Sequence, residues 1–229
     1  MLSSVRYYAD FEVALFEETQ KLYHDDSRNK LDTMEVPDYL KFVEKSLDEE
    51  EKRANSYLES STVRPLLTVC EIKLIGDHLV SIASRGLSSI MLDNRTDDLK
   101  RLYRLICASE SKLNLLRIFE RDAGGLTALK EELNRYVRSQ GSSIVVNPEK
   151  DSTMVVEMLD FKTSVYNIWK ECFSSQTVLH STIQDALQYI INVRKNRPAE
   201  LIAKYVDGLM KSGNKCESLD RELMVNELF

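Results

Sequence analysis

The chain has 229 residues, 43% of them hydrophobic and 30% charged, which is enough for a sizeable core and too hydrophobic for a disordered protein. Its formal net charge of −6 argues against a dedicated nucleic-acid-binding face, which is usually basic. The four cysteines are widely spaced, and the sequence has neither an apolar run of membrane-spanning length nor a signal-peptide pattern, so we expect a cytoplasmic and nuclear protein.

The first half of the chain shows a helical period. Residues 2–33 form the first predicted helix, with apolar positions at Val5, Tyr8, Phe11, Leu15, Phe16, Leu22 and Tyr23. A second helix starts near Pro37, and its expected buried stripe comprises Val36, Tyr39, Leu40, Val43, Leu47, Ala54, Tyr57 and Leu58. After a break at 60–62, a third helix is predicted from Pro65 to about Leu92. A fourth starts near Thr96, whose hydroxyl can cap it.

The second half resumes the pattern after a glycine pair at 124–125. A helix is predicted from Leu126 to Ser139, with its end at Gly141. Residues 144–146 are expected to be extended, because a residue that precedes a proline avoids the α region. Asn147 can then cap a helix that opens at Pro148. The expected buried positions of that helix are Val155, Met158, Leu159, Val165, Tyr166, Trp169, Cys172 and Phe173.

Two more helices complete the predicted set. One covers roughly 176–194, and the other lies in "RPAELIAKYVDGLMKSGNK" (197–215), with Pro198 at its first turn and Gly213 beyond its end. The apolar face of the second comprises Leu201, Ile202, Tyr205, Val206 and Leu209. Helices of roughly 25–30 residues span about 40–45 Å. The sequence therefore predicts an all-α fold in which long helices stack as a rod or solenoid.

Residues that could carry chemistry are scattered. His24, His78 and His180 lack the close spacing of a metal site on one helix. The aspartate pairs at 25–26 and 97–98 lack the D-D-x-x-D pattern that an all-α metal-dependent lyase would need. The glycines at 124–125 are not followed by the lysine of a phosphate loop. We therefore assign no catalytic, cofactor-binding or metal-binding residue, and we expect a protein that is not an enzyme.

The sequence contains two charged stretches that could lie either in solvent or against other charged groups. The first lies on one face of the fourth predicted helix and comprises Lys100, Arg101 and Arg104. This face is either solvated or opposed by an acidic partner. The second, "DEEEKR" at 48–53, is expected to be a solvated face. Its predicted i, i+4 ion pairs are Asp48–Lys52 and Glu49–Arg53.

Four strings are more specific than any periodicity. They are "FEETQKLY" (16–23), "EVPDYLKFVEKSLDEEEKR" (35–53), "GSSIVVNPEKDSTMVVEMLDFK" (141–162) and "NRPAELIAKYVDGLMKSGNK" (196–215). In this order they resemble the cullin family, and within it the type-4 cullins closely. The similarity covers about 1–215, is weakest at 106–122, where the chain has extra residues, and is absent after Lys215.

The resemblance implies an elongated stack of cullin repeats, each a five-helix bundle, with 1–141 matching a second repeat and 142–229 an incomplete third. Cullins are scaffolds of RING ubiquitin ligases, so the implied role is a stalk segment that positions a substrate adaptor relative to the RING module. Type-4 cullins bind a damaged-DNA-binding β-propeller adaptor through the first repeat and a RING-box protein through the C-terminal half. Neither region is matched here, so no partner-binding residue is carried over.

A second interaction role stays open. A truncated helical rod could tether or compete for partners without supporting ubiquitin transfer. An incomplete third repeat would leave an apolar face, including some of Leu201, Tyr205 and Leu209, uncovered and available for self-association. We expect no direct nucleic-acid partner and no membrane partner.

Overall fold

The structure is a computed structural model that describes residues 2–116, 124–194 and 197–212. Within these ranges it consists of nine α-helices and two 3-10 turns, with no β-strand, which confirms the all-α prediction. The chain divides into two compact units, Met1–Leu129 and Lys130–Phe229. No helix in the described ranges is both long and apolar enough to cross a membrane.

The first unit is built from five α-helices: α1 (Leu2–Thr33), α2 (Val36–Tyr57), α3 (Ser60–Leu74), α4 (Leu79–Leu92) and α5 (Thr96–Leu116). It also holds the first residues of α6 (Gly125–Val146). Helix α3 packs against α1 and α2, and α5 packs against α4 and α2. The fully buried core between them includes Tyr39, Leu40, Leu66, Leu74, Ile82, Leu87, Ile90, Leu99 and Leu102.

The second unit contains the rest of α6, α7 (Met154–Cys172), α8 (Thr177–Asn192) and α9 (Arg197–Ser212). Helix α7 packs against α8 and α9. The core of the second unit includes Val137, Val165, Phe173, Leu179, Ile183, Ala186 and Ile190. The described cysteines Cys70, Cys107 and Cys172 are not joined in disulfides, whereas Cys216 lies outside the described residues.

The prediction of the third helix is wrong in both its start and its length. Helix α3 begins at Ser60, five residues before Pro65, because α1 satisfies the backbone there. The Tyr8 hydroxyl accepts a hydrogen bond from the Glu59 N–H at 3.1 Å and lies 2.9 Å from Thr62 Oγ1. Pro65 is exposed in the second turn, where its missing N–H costs a single intrahelical bond.

Helix α3 also ends early, at Leu74, and a 3-10 turn (Gly76–His78) separates it from α4. The buried Tyr39 hydroxyl donates a hydrogen bond of 2.6 Å to the Leu74 carbonyl. The His78 N–H bonds instead to the Ile75 carbonyl at 2.9 Å. A tertiary hydrogen bond therefore replaces the next helical bond, which the helical period of this segment could not reveal.

The predicted end of α6 at Gly141 is also wrong, and so is the extended segment at 144–146. Helix α6 continues to Val146. Gly141 marks a close approach of two helices, since a Cβ at this position would lie 3.1 Å from Ile190 Cγ1 on α8 and nearer still to Ile190 Cδ1. Asn147 does cap the next segment by accepting a hydrogen bond from the Glu149 N–H at 3.1 Å. That segment is a 3-10 turn (Pro148–Lys150), and α7 begins only at Met154.

Most predicted stripes face inward, but their aromatic members often do not. The buried positions of α2 and α7 are confirmed at Val36, Tyr39, Leu40, Val43, Ala54, Val155, Met158, Leu159, Val165, Cys172 and Phe173. Tyr57 is 83% exposed, while Tyr166 and Trp169 are half-buried. On α1 the inner face is Thr19, Tyr23, Ser27 and Leu31, a spacing of four that places Phe11 and Leu22 outside.

Helix α9 has the predicted bounds in its described part. Pro198 and Ile202 are buried, whereas Leu201, Tyr205 and Val206 are half-buried. The Leu209 side chain and Gly213 lie outside what the structure describes. The apolar face is therefore covered at its centre and only partly covered at its edges.

Candidate functional site

Two of the three histidines, His24 and His78, lie in the first unit on either side of Ser27. His78 Nε2 lies 2.9 Å from the Ser27 hydroxyl, and His24 is one turn before Ser27 on α1. Burial is the main cause that lowers the pKa of His78, and Asp77 acts in the opposite direction. His180 lies in the second unit, where its ring centroid is 4.7 Å from that of Trp169 and 5.5 Å from that of Tyr166. Within the described ranges, no group of three potential ligands is arranged to hold a metal ion.

The Ser27–His78 contact resembles a nucleophile beside its base, but its hydrogen bonds run the other way. The Ser27 hydroxyl donates its one proton to the His24 carbonyl at 3.0 Å. In that arrangement the hydroxyl accepts from His78, with the ring proton on Nε2. A base must instead accept the proton of its nucleophile. Ser27 is also fully buried, so this contact joins α1 to the turn before α4.

The two arginines on the basic face of α5 form ion pairs within the first unit. Arg101 Nε lies 2.7 Å from Glu44 Oε2 on α2, and Arg104 binds the other oxygen of the same carboxylate. Arg101 also reaches Asp98 at 2.5 Å, and Asp98 is bound from its other side by Arg95 at 2.6 Å. Asp98 therefore acts as an ion-pair partner as well as a first-turn charge. We call Glu44, Asp98, Arg101 and Arg104 the α2–α5 clamp. Of the three basic residues on the predicted face, Arg101 and Arg104 are therefore opposed by acidic side chains of the same chain, whereas Lys100 is exposed.

The stretch 48–53 is not simply a solvated face. Glu50 is only 6% exposed and accepts a hydrogen bond of 2.9 Å from the buried Tyr23 hydroxyl. Arg53 pairs with this same carboxylate at 3.1 Å, rather than supporting the predicted pair with Glu49. The predicted Asp48–Lys52 pair is confirmed at 2.5 Å. Burial is the main cause that raises the pKa of Tyr23, and the hydrogen bond to Glu50 adds to it.

The surface carries two open grooves that could receive a partner. One lies in the first unit between α2, α3 and α5, with Leu67 and Leu105 in its floor and Glu51, Arg64 and Arg104 around it. The other lies in the second unit, along the outer side of α6 next to Tyr189 of α8. Sequence reasoning missed both, because each is made by residues that are distant in the chain.

Each unit is thus a bundle of amphipathic helices around its own core, with much of its charge paired internally. This is the organisation of an α-helical repeat protein. The family model described as the cullin alpha solenoid domain matches residues 1–227, so the expectation that the similarity is absent after Lys215 is wrong. The chain belongs to the cullin family.

Individual relatives agree with this assignment. Cullin-4A of Homo sapiens is 39% identical over 224 residues, which cover 97% of this chain and 28% of that protein. Cullin-4 of Dictyostelium discoideum is 31% identical over 215 residues, which cover 94% of this chain and 25% of the relative. Cullin-3 of Dictyostelium discoideum is 34% identical over 236 residues, with 97% and 29% covered. The chain therefore spans little more than a quarter of the length of these relatives.

Proposed function

We propose that the chain is a scaffold segment of a cullin-RING ubiquitin ligase. Its role is to hold a substrate adaptor at a fixed distance from the RING module that brings the ubiquitin-loaded enzyme. The observation that carries this proposal is the match of the cullin alpha solenoid domain across residues 1–227. The assignment of 1–141 to a second repeat and of 142–229 to a third is part of the proposal, as are the cytoplasmic and nuclear location and self-association through an incomplete third repeat.

The mechanism is positional. A stiff scaffold raises the effective concentration of one bound group near another, because the two cannot diffuse apart. Stiffness requires helices that do not slide or splay. The α2–α5 clamp supports this, since Arg101 is held at once by Asp98 and Glu44 and is only partly exposed. Charge-assisted hydrogen bonds of this kind are stronger than those between neutral groups.

The partners follow from the same proposal. They are a substrate adaptor of β-propeller type and a RING-box protein, which the full-length family binds through regions beyond the matched residues. In this role the chain itself performs no bond-making step. Substrate choice belongs to the adaptor.

Immunoprecipitation of the native protein tests this proposal. An antibody against 196–215 is used on cell extract, and the precipitate is probed for the RING-box protein and assayed for ubiquitin chain formation with added ubiquitin, activating enzyme and conjugating enzyme. Co-precipitation with ubiquitin transfer is expected. A precipitate that holds adaptor or RING-box protein but transfers no ubiquitin would favour a tether or competitor. A precipitate with neither would contradict the ligase role.

A further inference from the structure

A shelf on the second unit has the features of a separate protein-binding surface. It is lined along α6 by Glu131, Asn134, Arg135, Arg138, Ser139 and Ser142, and on α8 by Tyr189. We call these seven residues the Arg138–Tyr189 shelf. The shelf is shallow and open, which is unlike the deep, enclosed pockets that bury small molecules. Its geometry suits the side of a polypeptide.

The shelf exists because α6 and α8 approach closely. Gly141 on α6 has no side chain, and Ile190 of α8 occupies the space beside it. This contact brings the preceding residue, Tyr189, alongside α6. The Arg138 guanidinium carbon then lies 4.2 Å from the centroid of the Tyr189 ring. The stacking holds a flexible cation in one place before any partner arrives.

Of the two arginines on the shelf, Arg135 has an acidic partner and Arg138 has none among the described residues. Arg135 pairs with Glu132 on its own helix, but Arg138 forms no ion pair among the described residues, and its Nε is buried without a hydrogen-bond acceptor there. The outer nitrogens of the partly exposed guanidinium keep donors that a further acceptor can use. Tyr189 next to it is 49% exposed and offers apolar area.

We propose that the Arg138–Tyr189 shelf binds an acidic, amphipathic segment of a partner protein. A carboxylate of that segment pairs with the outer nitrogens of Arg138, and an aliphatic side chain packs on the open part of the Tyr189 ring. Asn134 and Ser142 supply polar contacts at the rim. Arginine and tyrosine are the residue types that most often dominate protein interfaces, and a preorganised arginine loses little entropy on binding. The shelf is additional to the scaffold role and does not depend on it.

A protein carboxylate fits the shelf better than a nucleic-acid phosphate backbone. Glu131 borders the same groove, and Glu132 neutralises Arg135 one turn away. The chain as a whole carries a net charge of −6. A phosphate backbone would bring a continuous row of negative charges against both carboxylates, whereas an amphipathic helix can present one glutamate to Arg138 and its leucine face to Tyr189.

The test is a binding titration of the full chain with a fluorescent helical peptide of glutamate and leucine, followed by polarisation at low salt. A peptide with lysine in place of glutamate and a single-stranded oligonucleotide serve as comparison probes. We expect the acidic peptide to bind and the other two not to bind. Arg138→Ala should weaken binding by about tenfold, the size expected for a central arginine. Arg138→Lys should weaken it too, because lysine cannot offer the planar, stacked fork.

The matched control is Lys204→Ala, which removes one positive charge from the exposed side of α9 in the same unit. It should leave the affinity within about twofold. Equal losses for Arg138→Ala and Lys204→Ala would overturn the proposal by showing unspecific charge attraction. Tighter binding of the oligonucleotide would also overturn it, as would no binding of the acidic peptide up to about 1 mM. Circular dichroism melting of each variant checks that the unit stays folded.

Discussion

Gly141→Ala should destabilise the second unit even though alanine is the better helix former. The new methyl group would lie 3.1 Å from Ile190 Cγ1 and 3.4 Å from Cγ2, with Cδ1 closer still. Ile190 is fully buried and β-branched, so it cannot swing away without disturbing its neighbours. Overpacking of this kind costs about 1–3 kcal/mol. The better helix propensity of alanine offsets about 0.5–1 kcal/mol of this, which leaves a net loss of up to about 2.5 kcal/mol.

The chain offers a matched control and a suitable probe. A Cβ added at Gly208 on α9 would meet nothing within 4 Å, so Gly208→Ala should stabilise the same unit by up to about 1 kcal/mol. Trp169 is the single tryptophan and lies in this unit, where its indole N–H donates to the Gln176 carbonyl at 2.8 Å. Its fluorescence during urea unfolding therefore reports on the second unit alone.

A second substitution isolates the contact. Ile190→Val removes Cδ1, the atom closest to the new methyl group, and should recover part of the loss in a double-mutant cycle. The reasoning would be refuted if Gly141→Ala stabilised the unit as much as Gly208→Ala, because the glycine would then serve no close approach of α6 and α8.

Three further results are expected. Glu50→Ala should lower the free energy of unfolding by about 1–3 kcal/mol in urea titration, since it leaves the buried Tyr23 hydroxyl without an acceptor, and a loss below about 0.5 kcal/mol would contradict this. Burial lowers the pKa of His78, so the folded state binds fewer protons than the unfolded state; the stability His78 contributes should be complete above about pH 6.5 and fall as the pH drops below it. His78→Gln should flatten that pH profile, and an unchanged profile would count against it. Ser174→Gly should stabilise the turn after α7 by about 0.5–1 kcal/mol in thermal melts, because Ser174 has φ 50°, and a loss of stability would show that its side chain matters more than its backbone.

The sequence was sufficient where a feature depends on local periodicity. The inward faces of α2 and α7 follow from their apolar spacing, and α8 lies within two residues of its predicted bounds. The Asp48–Lys52 pair also follows from a local rule, the i, i+4 spacing on one helix. These features need only the 3.6-residue repeat and the preferences of neighbouring residues.

The features that sequence reasoning missed depend on contacts between distant residues. A proline commonly marks the start of a helix, and a glycine commonly marks its end. Here the Tyr8 hydroxyl binds the chain at Glu59, where α3 starts upstream of Pro65, and Gly141, within α6, leaves room for the Ile190 side chain. The same holds for charge. Glu44 lies 57 residues before Arg101, so no spacing rule could pair them. The sequence predicted a solvated side chain for Glu50, because its hydrogen-bond partner, Tyr23, belongs to another helix.

Helices that keep a fixed spacing are the central requirement of a positional scaffold, and pulsed electron paramagnetic resonance measures that spacing within the first unit. Spin labels are attached at Lys41→Cys on α2 and Ser84→Cys on α4, which are exposed positions, with the partly exposed Cys107 and also Cys216 replaced by alanine. The account predicts one narrow distance distribution between the two labels. A broad or multiple distribution would contradict it, because helices that slide or splay cannot set a distance.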